Sequence, residues 1–339
     1  MHKFFFEKIN TQIFLRGEAK KLLPERPREA HKGNFGRILI IGGSKDYVGA
    51  PVLTSEAALK TGSGLVYTAM PECVYYLMAK KFREQIPIPL PETEKGTIGI
   101  ESLSIIIEKV KNLKINCIAI GPGLGFHKKT SEFVKLLIKA VNIPVIIDAD
   151  AINALSEEPL ILKNISAPII LTPHTGELAR LLNTKIETIE KNRIKTIEDF
   201  TKLYPCVLVL KGAHSLTGYK KNIFMNITGN SGMATAGSGD VLAGMIASLT
   251  GQGRSIFDAA KLAVFLHGTS GDIAAGKKNK ISITATDILN NIPGAISELI
   301  NYSPSNKSSQ SGDCSPLIST KDNSYSLGDL IEIPAYYNL

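Results

Sequence analysis

Residues 228–249 read TGNSGMATAGSGDVLAGMIASL and combine a glycine-rich turn, an acidic residue and an apolar helical pattern. Gly237, Ser238 and Gly239 come directly before that pattern, so we expect their backbone N–H groups to be free at the start of a helix. Free N–H groups and the positive end of a helix dipole bind an anion, most naturally a phosphate. The stretch therefore predicts an anion-binding turn.

Asp240 follows this turn, although a carboxylate would repel a bound phosphate. One hypothesis is that Asp240 is a base. It would take a proton from a hydroxyl while the turn holds the phosphoryl group that this hydroxyl attacks. The other hypothesis is that Asp240 caps the helix, a common role for aspartate. The residues of the turn favour neither.

Four further polar residues follow apolar runs typical of buried strands. His174 and Glu177 lie three residues apart in the predicted first turn of a helix and share one of its faces. Either His174 contacts a substrate while Glu177 binds magnesium through water, or both are polar residues that face solvent. Asp148 and Asp150 either hold solvated magnesium or cap the helix that follows them.

A second glycine-containing stretch is not a phosphate site. Residues 271–277, GDIAAGK, have the spacing of a phosphate-binding loop, but they follow a helix and Lys278 replaces the Ser or Thr that holds magnesium. We interpret them as the C-terminal end of a helix, where the dipole favours cationic residues.

An alternation of strands and helices must position these residues. Near-continuous apolar runs predict strands that are buried on both faces of a parallel sheet. The predicted strands are residues 37–41, 65–70, 117–120, 145–147, 169–171 and 207–210, then a hairpin that turns near Gly218 and returns at 223–226, and the predicted helices include 51–60, 256–275 and 286–300. Lys211 and His214 follow the sixth strand, where they either approach a nucleotide or form a solvated turn.

The alternation predicts an α/β fold with a doubly wound sheet and right-handed crossovers. In such sheets the ligand lies beyond the C-terminal ends of the strands. The glycines of residues 42–44 and 121–125 and the polar residues named above all follow strands. We therefore expect one ligand site at this edge of the sheet.

Composition narrows the class of protein. Of the 339 residues 44% are hydrophobic and 21% charged, and no apolar run approaches the roughly 20 residues that cross a bilayer. Scattered cysteines indicate buried thiols in a reducing compartment. The net charge of +8 does not come from a basic helix interleaved with aromatic residues. We expect a cytoplasmic protein without membrane or nucleic-acid partners.

The chain is divided by composition into three parts. Residues 1–30 are polar and basic and predict an N-terminal arm, and residues 31–302 carry the strand–helix alternation of one domain. Residues 303–339 are rich in serine, and this composition predicts a flexible C-terminal tail.

Seven segments, in order and with matched spacing, resemble the ADP/ATP-dependent NAD(P)H-hydrate dehydratases of the ribokinase-like superfamily. They are HKGNFGRILIIGGS, GAPVLTSEAALKTGSGLV, IAIGPGLG, VIIDADAINAL, ILTPHTGEL, VLVLKGAHS and GNSGMATAGSGDVLAG. The resemblance runs from Leu22 to Leu299 and implies a three-layer sandwich, with a mostly parallel central sheet and helices on both faces. It also implies a hydro-lyase that uses ADP or ATP to remove water from the S-epimer of hydrated NADH or NADPH. The products would be the restored NADH or NADPH, AMP or ADP, and phosphate.

The resemblance implies roles for individual residues. The hydrated dinucleotide would contact Ala50, a glycine of the GPGLG segment (Gly123 or Gly125), His174 and Asp240. The adenine nucleotide would contact Lys211, Gly212, Ala213, His214 and Ser215, together with Gly237, Ser238 and Gly239. Asp240 would be the catalytic residue between the two ligands. Magnesium would be the cofactor, contacted by Glu177 through water.

The sequence departs from the family pattern GNPGMATGGTGD at three positions, Ser231, Ala236 and Ser238. Ala236 fits the turn only with a negative φ. The family suggests a homotetramer, and we expect a separate epimerase to act on the same metabolite. Two alternatives stay open: a small-molecule kinase of the hydroxyethylthiazole or hydroxymethylpyrimidine type, and a nucleotide-binding scaffold without activity.

Overall fold

A computed structural model describes residues 11–303 of the chain. The strands are β1 (Thr11–Ile13), β2 (Arg37–Ile41), β3 (Leu65–Pro71), β4 (Ile86–Leu90), β5 (Cys117–Ile120), β6 (Val145–Ile147), β7 (Ile169–Leu171), β8 (Val207–Leu210), β9 (Leu216–Tyr219) and β10 (Asn222–Met225). The helices are α1 (Arg16–Lys21), α2 (Ala50–Lys60), α3 (Glu72–Met78), α4 (Ser102–Asn112), α5 (Lys128–Ala140), α6 (Ala149–Leu155), α7 (Thr175–Leu181), α8 (Ile186–Lys191), α9 (Arg193–Leu203), α10 (Ser238–Gly251), α11 (Ile256–Lys277) and α12 (Ala285–Asn301).

The strands form one sheet in the order β1-β10-β9-β8-β7-β6-β5-β2-β3-β4. Within the described range, β9 is the strand that runs antiparallel to its neighbours, and the other pairs are parallel. The C-terminal ends of β2 and β5 to β8 therefore meet at one edge. No helix among residues 11–303 combines the length and apolarity that crossing a bilayer requires.

Helices cover both faces of the sheet, because side chains alternate along each strand between two cores. In β2, Leu39 and Ile41 belong to one core and Ile38 and Ile40 to the other, and all four are fully buried. Helices α4 to α9 supply the first core, and α1, α2 and α10 to α12 supply the second. The predicted three-layer sandwich, with helices on both faces of a mostly parallel sheet, is confirmed.

The predicted strands and helices agree with the structure to within two residues at either end, and the GDIAAGK stretch ends α11 as expected. The predicted hairpin is confirmed, with its turn two residues beyond Gly218. Gly218 lies inside β9, and the chain reverses at Lys220 and Lys221. Glycine is needed at 218 because a Cβ there would come within 2.1 Å of Ile197 Cγ2 on α9. Packing, not the turn, explains this glycine.

The predicted N-terminal arm is partly built into the fold. From Thr11 onwards β1 extends the sheet by pairing with β10, and Phe14 is buried edge-on against Phe224 and Phe265, with ring centroids 6.0 Å away in both cases. Residues 1–10 lie outside the described residues, as does the predicted serine-rich tail apart from Ser303.

Candidate active site

The glycine-rich turn leads into α10 as expected. Gly237 is the N-cap residue with a left-handed φ of 86°, and a Cβ there would lie 2.7 Å from Leu53 Cδ1. The left-handed φ and the close approach of Leu53 together favour glycine at 237. The φ of Ala236 is not positive, and this meets the condition that an alanine side chain sets in this turn.

The anion-binding turn has fewer free donors than predicted. The Ser238 N–H donates to the Thr235 carbonyl at 3.3 Å, so the prediction of a free donor at 238 is wrong. The N–H groups of Gly237 and Gly239 have no acceptor among residues 11–303 and remain available to a ligand.

Asp240 is the third residue of α10. The capping hypothesis is wrong, because Gly237 occupies the cap position and no side chain bonds to the first turn. In the described part of the chain no group donates a hydrogen bond to the Asp240 carboxylate. Burial, reinforced by the charges of Asp148 and Asp150 and opposed by Lys211, raises the pKa of Asp240 to about 7. The carboxylate can therefore exchange a proton at neutral pH.

A buried ion pair lies beside Asp240. Asp148 Oδ1 accepts hydrogen bonds from Lys211 Nζ at 2.8 Å and from Thr172 Oγ1 at 2.6 Å, and its side chain is 2% exposed. Burial alone would lower the pKa of Lys211, but the charges of Asp148, Glu177 and Asp240 raise it. Lys211 is thus held as an ammonium among three carboxylates. A Cβ on Gly239 would lie 3.3 Å from Lys211 Nζ, so the turn and the ion pair are neighbours.

The acids after β6 do not cap α6 as one hypothesis proposed. The side chain of Asp148 makes no capping bond. Asp150 Oδ2 instead accepts the Gly125 N–H at 2.9 Å and thereby fixes the loop after β5. Ala149 between them has φ 45°, a strained value that L-residues adopt mainly where surrounding structure imposes it.

His174 and Glu177 form a reciprocal cap at the start of α7. His174 Nδ1 accepts the N–H groups of Gly176 and Glu177, and Glu177 Oε2 accepts the His174 N–H at 2.8 Å. His174 is exposed, as the solvent-facing hypothesis required, but Glu177 is buried and that hypothesis is wrong for it. Because Nδ1 is an acceptor, the neutral ring carries its hydrogen on Nε2, which lies 3.5 Å from Glu177 Oε1 on a side chain that is 59% exposed.

Glu177 faces the ion pair rather than solvent. Its Oε2 lies 3.7 Å from Lys211 Nζ. Burial raises the pKa of Glu177, with Lys211 opposing the change. No group of three or more His, Cys, Asp or Glu side chains in residues 11–303 is arranged to hold a metal ion.

The predicted dinucleotide contacts on the other side of the site come together. Gly123, with φ 63°, packs on the first residue of α2: a Cβ at 123 would lie 2.9 Å from Ala50 Cβ. Gly125 is tied to Asp150 as described above. Ala50, Gly123 and Gly125 therefore form one continuous wall.

The segment from Lys211 to Ser215 forms a tight loop after β8. Lys211 N–H donates to the Pro173 carbonyl at 2.9 Å, which joins this loop to His174. Arg193 at the start of α9 holds the loop from behind, donating from Nη1 to the Ala213 carbonyl at 2.7 Å and from Nη2 to the His214 carbonyl at 3.4 Å. The structure thus places Gly212, Ala213, His214 and Ser215 on a preformed backbone.

Helix α11 supports the glycine-rich segment from below. Asp272 accepts the Gly229 N–H at 2.8 Å and the Asn230 side-chain amide at 2.9 Å. His267 Nε2 lies 3.4 Å from Ser238 Oγ. Burial lowers the pKa of His267 to about 4, so its ring is neutral.

Sequence reasoning missed three of these supports, Arg193, His267 and Asp272, because none follows a strand. The only available signal was that each is a polar residue within an otherwise amphipathic or apolar helix.

Comparison with known proteins identifies the fold class of this architecture. The chain is a ribokinase-like α/β protein: a ribokinase-like superfamily protein of Enterococcus faecalis superposes with a TM-score of 0.75 at 25% identity, covering 88% of this chain and 99% of that one. The ADP/ATP-dependent NAD(P)H-hydrate dehydratase of Bacillus subtilis, co-crystallized with ATP/Mg²⁺, superposes with a TM-score of 0.74 at 26% identity, covering 86% and 99%.

The chain belongs to the NAD(P)H-hydrate dehydratase family, whose sequence profile matches residues 38–294. It is 39% identical over 292 residues to a bifunctional NAD(P)H-hydrate repair enzyme of Moorella thermoacetica, which covers 86% of this chain and 55% of that protein. The chain spans about half the length of the curated relatives it matches. The predicted family is confirmed.

Proposed function

We propose that this protein uses ADP or ATP to remove water from the S-epimer of hydrated NADH or NADPH, restoring the reduced dinucleotide and releasing AMP or ADP and phosphate. One observation carries the proposal. The Asp240 carboxylate, whose pKa is near 7, stands beside a turn in which the Gly237 and Gly239 N–H groups are free. A base and an oxyanion-binding turn side by side suit transfer of a phosphoryl group to a hydroxyl.

The reaction begins at the hydroxyl of the hydrated nicotinamide ring. Asp240 accepts its proton as the oxygen attacks the terminal phosphorus, and the bond from that phosphorus to the nucleotide breaks. Phosphate then leaves the ring carbon with the C–O bonding electrons, and a proton lost from the neighbouring carbon restores the double bond. The N–H groups of Gly237 and Gly239 and the Lys211 ammonium stabilise charge on the phosphoryl oxygens.

The two ligands would occupy opposite sides of Asp240. The wall of Ala50, Gly123 and Gly125, together with His174, receives the hydrated dinucleotide. The loop from Lys211 to Ser215 and the turn from Gly237 to Gly239 receive the adenine nucleotide. This arrangement explains why an acid follows an anion-binding turn.

Magnesium would arrive with the nucleotide. The described residues offer no protein cage for a metal, and Mg²⁺ bound to nucleotide phosphates usually keeps several waters. Glu177 is the residue we assign to one of those waters. Bound magnesium would neutralise phosphate charge, while the proton stays with Asp240.

Three wider assignments complete the proposal. An epimerase would convert the other epimer of the hydrated dinucleotide into the substrate. The protein would act in the cytoplasm, where reduced dinucleotides are used. It would assemble as a homotetramer, as the family resemblance implies.

The test is to incubate hydrated NADH or NADPH with the protein, Mg²⁺ and either ADP or ATP. We expect the absorbance of the dihydronicotinamide ring to return with stoichiometric release of phosphate. Accumulation of a stable phosphoester would instead identify a kinase. Absence of any turnover together with tight nucleotide binding would identify a scaffold, and either result would overturn the proposal.

A further inference from the structure

A cavity of about 420 Å³ opens between helices α5, α6 and α7 and the segment after β5. Its lining includes Gly125 and Phe126 of that segment, Ser131 of α5, Ser156 at the end of α6, and Arg180 of α7. The volume falls within the roughly 300–1,000 Å³ that small-molecule sites occupy.

The cavity is continuous with the proposed dinucleotide site. Gly125 lines both, and Asp150, whose carboxylate holds the Gly125 N–H, also lines the cavity. Arg180 stands on the helix that begins at the His174 cap. The loop from Lys211 to Ser215, by contrast, is held by α9. The cavity therefore extends the substrate side of the site and is separate from the nucleotide loop.

The polar groups of the cavity suit a nucleoside with phosphate. The Arg180 side chain is exposed and donates to Asn153 Oδ1, which leaves further guanidinium N–H groups for a phosphate. Of the two acids in the lining, Asp150 is occupied by Gly125, and Glu157 is paired with Lys135 at 2.7 Å. Glu157 is thus charge-paired with a lysine, and Asp150, which no cation pairs with in residues 11–303, directs one carboxylate oxygen at the Gly125 N–H.

An aromatic ring stands at the rim. Phe126 is 73% exposed, which is unusual for phenylalanine in a folded domain. A flat, exposed ring beside a cavity is a stacking surface for a nucleobase.

We propose that this cavity binds the adenosine half of the hydrated dinucleotide, with Phe126 stacking on the adenine and Arg180 binding a phosphate. This inference rests on the proposed function. It gives the adenosine end of the substrate a binding site apart from that of the reacting nicotinamide ring.

The test compares two substrates, hydrated NADH and the hydrated reduced nicotinamide mononucleotide, which lacks adenosine. Phe126→Ala and Arg180→Gln remove the two contacts, and Ser156→Tyr fills the cavity from the end of α6. The control is Lys139→Tyr, a bulky change at an exposed position of α5 that does not line the cavity. The Kd for ADP, measured for every variant, reports on folding through a site that the cavity does not include.

We expect each of the three variants to raise KM for hydrated NADH by about 10-fold or more, with kcat and the ADP Kd unchanged. On the mononucleotide the kcat/KM of Phe126→Ala and Ser156→Tyr should equal that of the unmodified protein, whereas any loss of activity for Arg180→Gln there would come only through the one bridge phosphate that the mononucleotide keeps. For Phe126→Ala and Ser156→Tyr, equal losses on both substrates, or no loss on either, would overturn the cavity assignment while leaving the dehydratase proposal intact. An unmodified protein that turns over neither substrate would overturn both.

Hydrated NADPH distinguishes the two phosphates that Arg180 could bind. A loss on Arg180→Gln that is greater with hydrated NADPH than with hydrated NADH assigns Arg180 to the 2′-phosphate. Equal losses with the two dinucleotides assign it to the diphosphate bridge.

Discussion

Lys211 Nζ lies 2.8 Å from Asp148 Oδ1, and the two residues are 63 positions apart in the sequence. This pair joins the end of β8 to the end of β6 and stands next to Gly239 in the anion-binding turn. The pair puts a fixed positive charge where the phosphoryl group is expected. Burial is the main cause of the raised pKa of Asp240; within the pair, Asp148 adds to this effect and Lys211 opposes it.

Asp240→Asn should abolish most turnover while leaving nucleotide binding intact. The amide cannot accept the hydroxyl proton, so we expect kcat to fall by about 10² or more, the scale typical of a positioned acid–base group. The Kd for ADP should be equal or lower, because a negative charge next to the phosphates is removed. Titration calorimetry and the absorbance assay measure the two quantities. Unaltered turnover would remove Asp240 from the mechanism.

The rate should depend on the protonation of Asp240. Because its pKa is about 7 and the ionised form is the active base, kcat/KM should fall as the pH drops below that value, approaching about tenfold per pH unit. The measurement is a pH profile between pH 5 and 9. The residual activity of Asp240→Asn serves as the control, since it should lack this limb. If the fall in kcat/KM at low pH persists in the variant, the titrating group is not Asp240 but another group, such as a nucleotide phosphate.

Asp240→Asn should also make the fold more stable at high pH. In the unfolded chain Asp240 ionises near 3.8, and in the fold near 7. Below pH 4 both states hold the proton and burial of the ionised form costs nothing. As the pH rises to 7 and above, the cost grows to as much as about 4 kcal/mol.

The measurement is urea unfolding of the two proteins at pH 4 and pH 8. We expect the advantage of the variant to be small at pH 4 and large at pH 8. An advantage that is independent of pH would contradict the burial of an ionised Asp240.

Lys211 and Asp148 should behave as one buried unit. Lys211→Met leaves a buried carboxylate without its cation, a change that costs about 3–5 kcal/mol. The double variant Lys211→Met/Asp148→Asn should cost much less than the sum of the two single variants. Urea unfolding of the four proteins measures the coupling free energy. The surface pair Lys202 and Glu198, 2.6 Å apart, is the matched control and should couple by less than about 1 kcal/mol. Additive effects at 211 and 148 would rule out the unit.

Arg193→Gln should weaken nucleotide binding selectively. The guanidinium holds the carbonyls of Ala213 and His214, so its loss frees the loop that we propose receives the nucleotide. We expect the Kd for ADP to rise about tenfold, which corresponds to about 1.4 kcal/mol, with KM for the hydrated dinucleotide unchanged. Lys191→Gln, an exposed change at the end of α8, is the control. Equal weakening of both ligands would mean that Arg193 supports the whole site.

Several elements were predictable because their signals are local. The RILII run of β2 is buried on both faces, as its continuous apolar character predicts. Strand β4 was missed for an equally local reason, because Pro87 and Pro89 argue against a strand. The structure tolerates them because β4 is the last strand of the sheet and has an open edge. Edge position depends on the assembled sheet, which no five-residue window contains.

The sequence by itself determined the fold class, the family and the glycine-rich turn that ends in Asp240. Strand burial, helix starts and left-handed glycines each depend on a few neighbouring residues, so they can be read from the chain. Only the tertiary structure decided that Asp240 does not cap α10 and that Glu177 is buried. Only the packed protein also showed that Arg193 holds the loop after β8 and that Asp272 holds the glycine-rich segment. These facts depend on side chains brought together by the packing of separate helices on one sheet, and that packing leaves no periodic trace in the sequence.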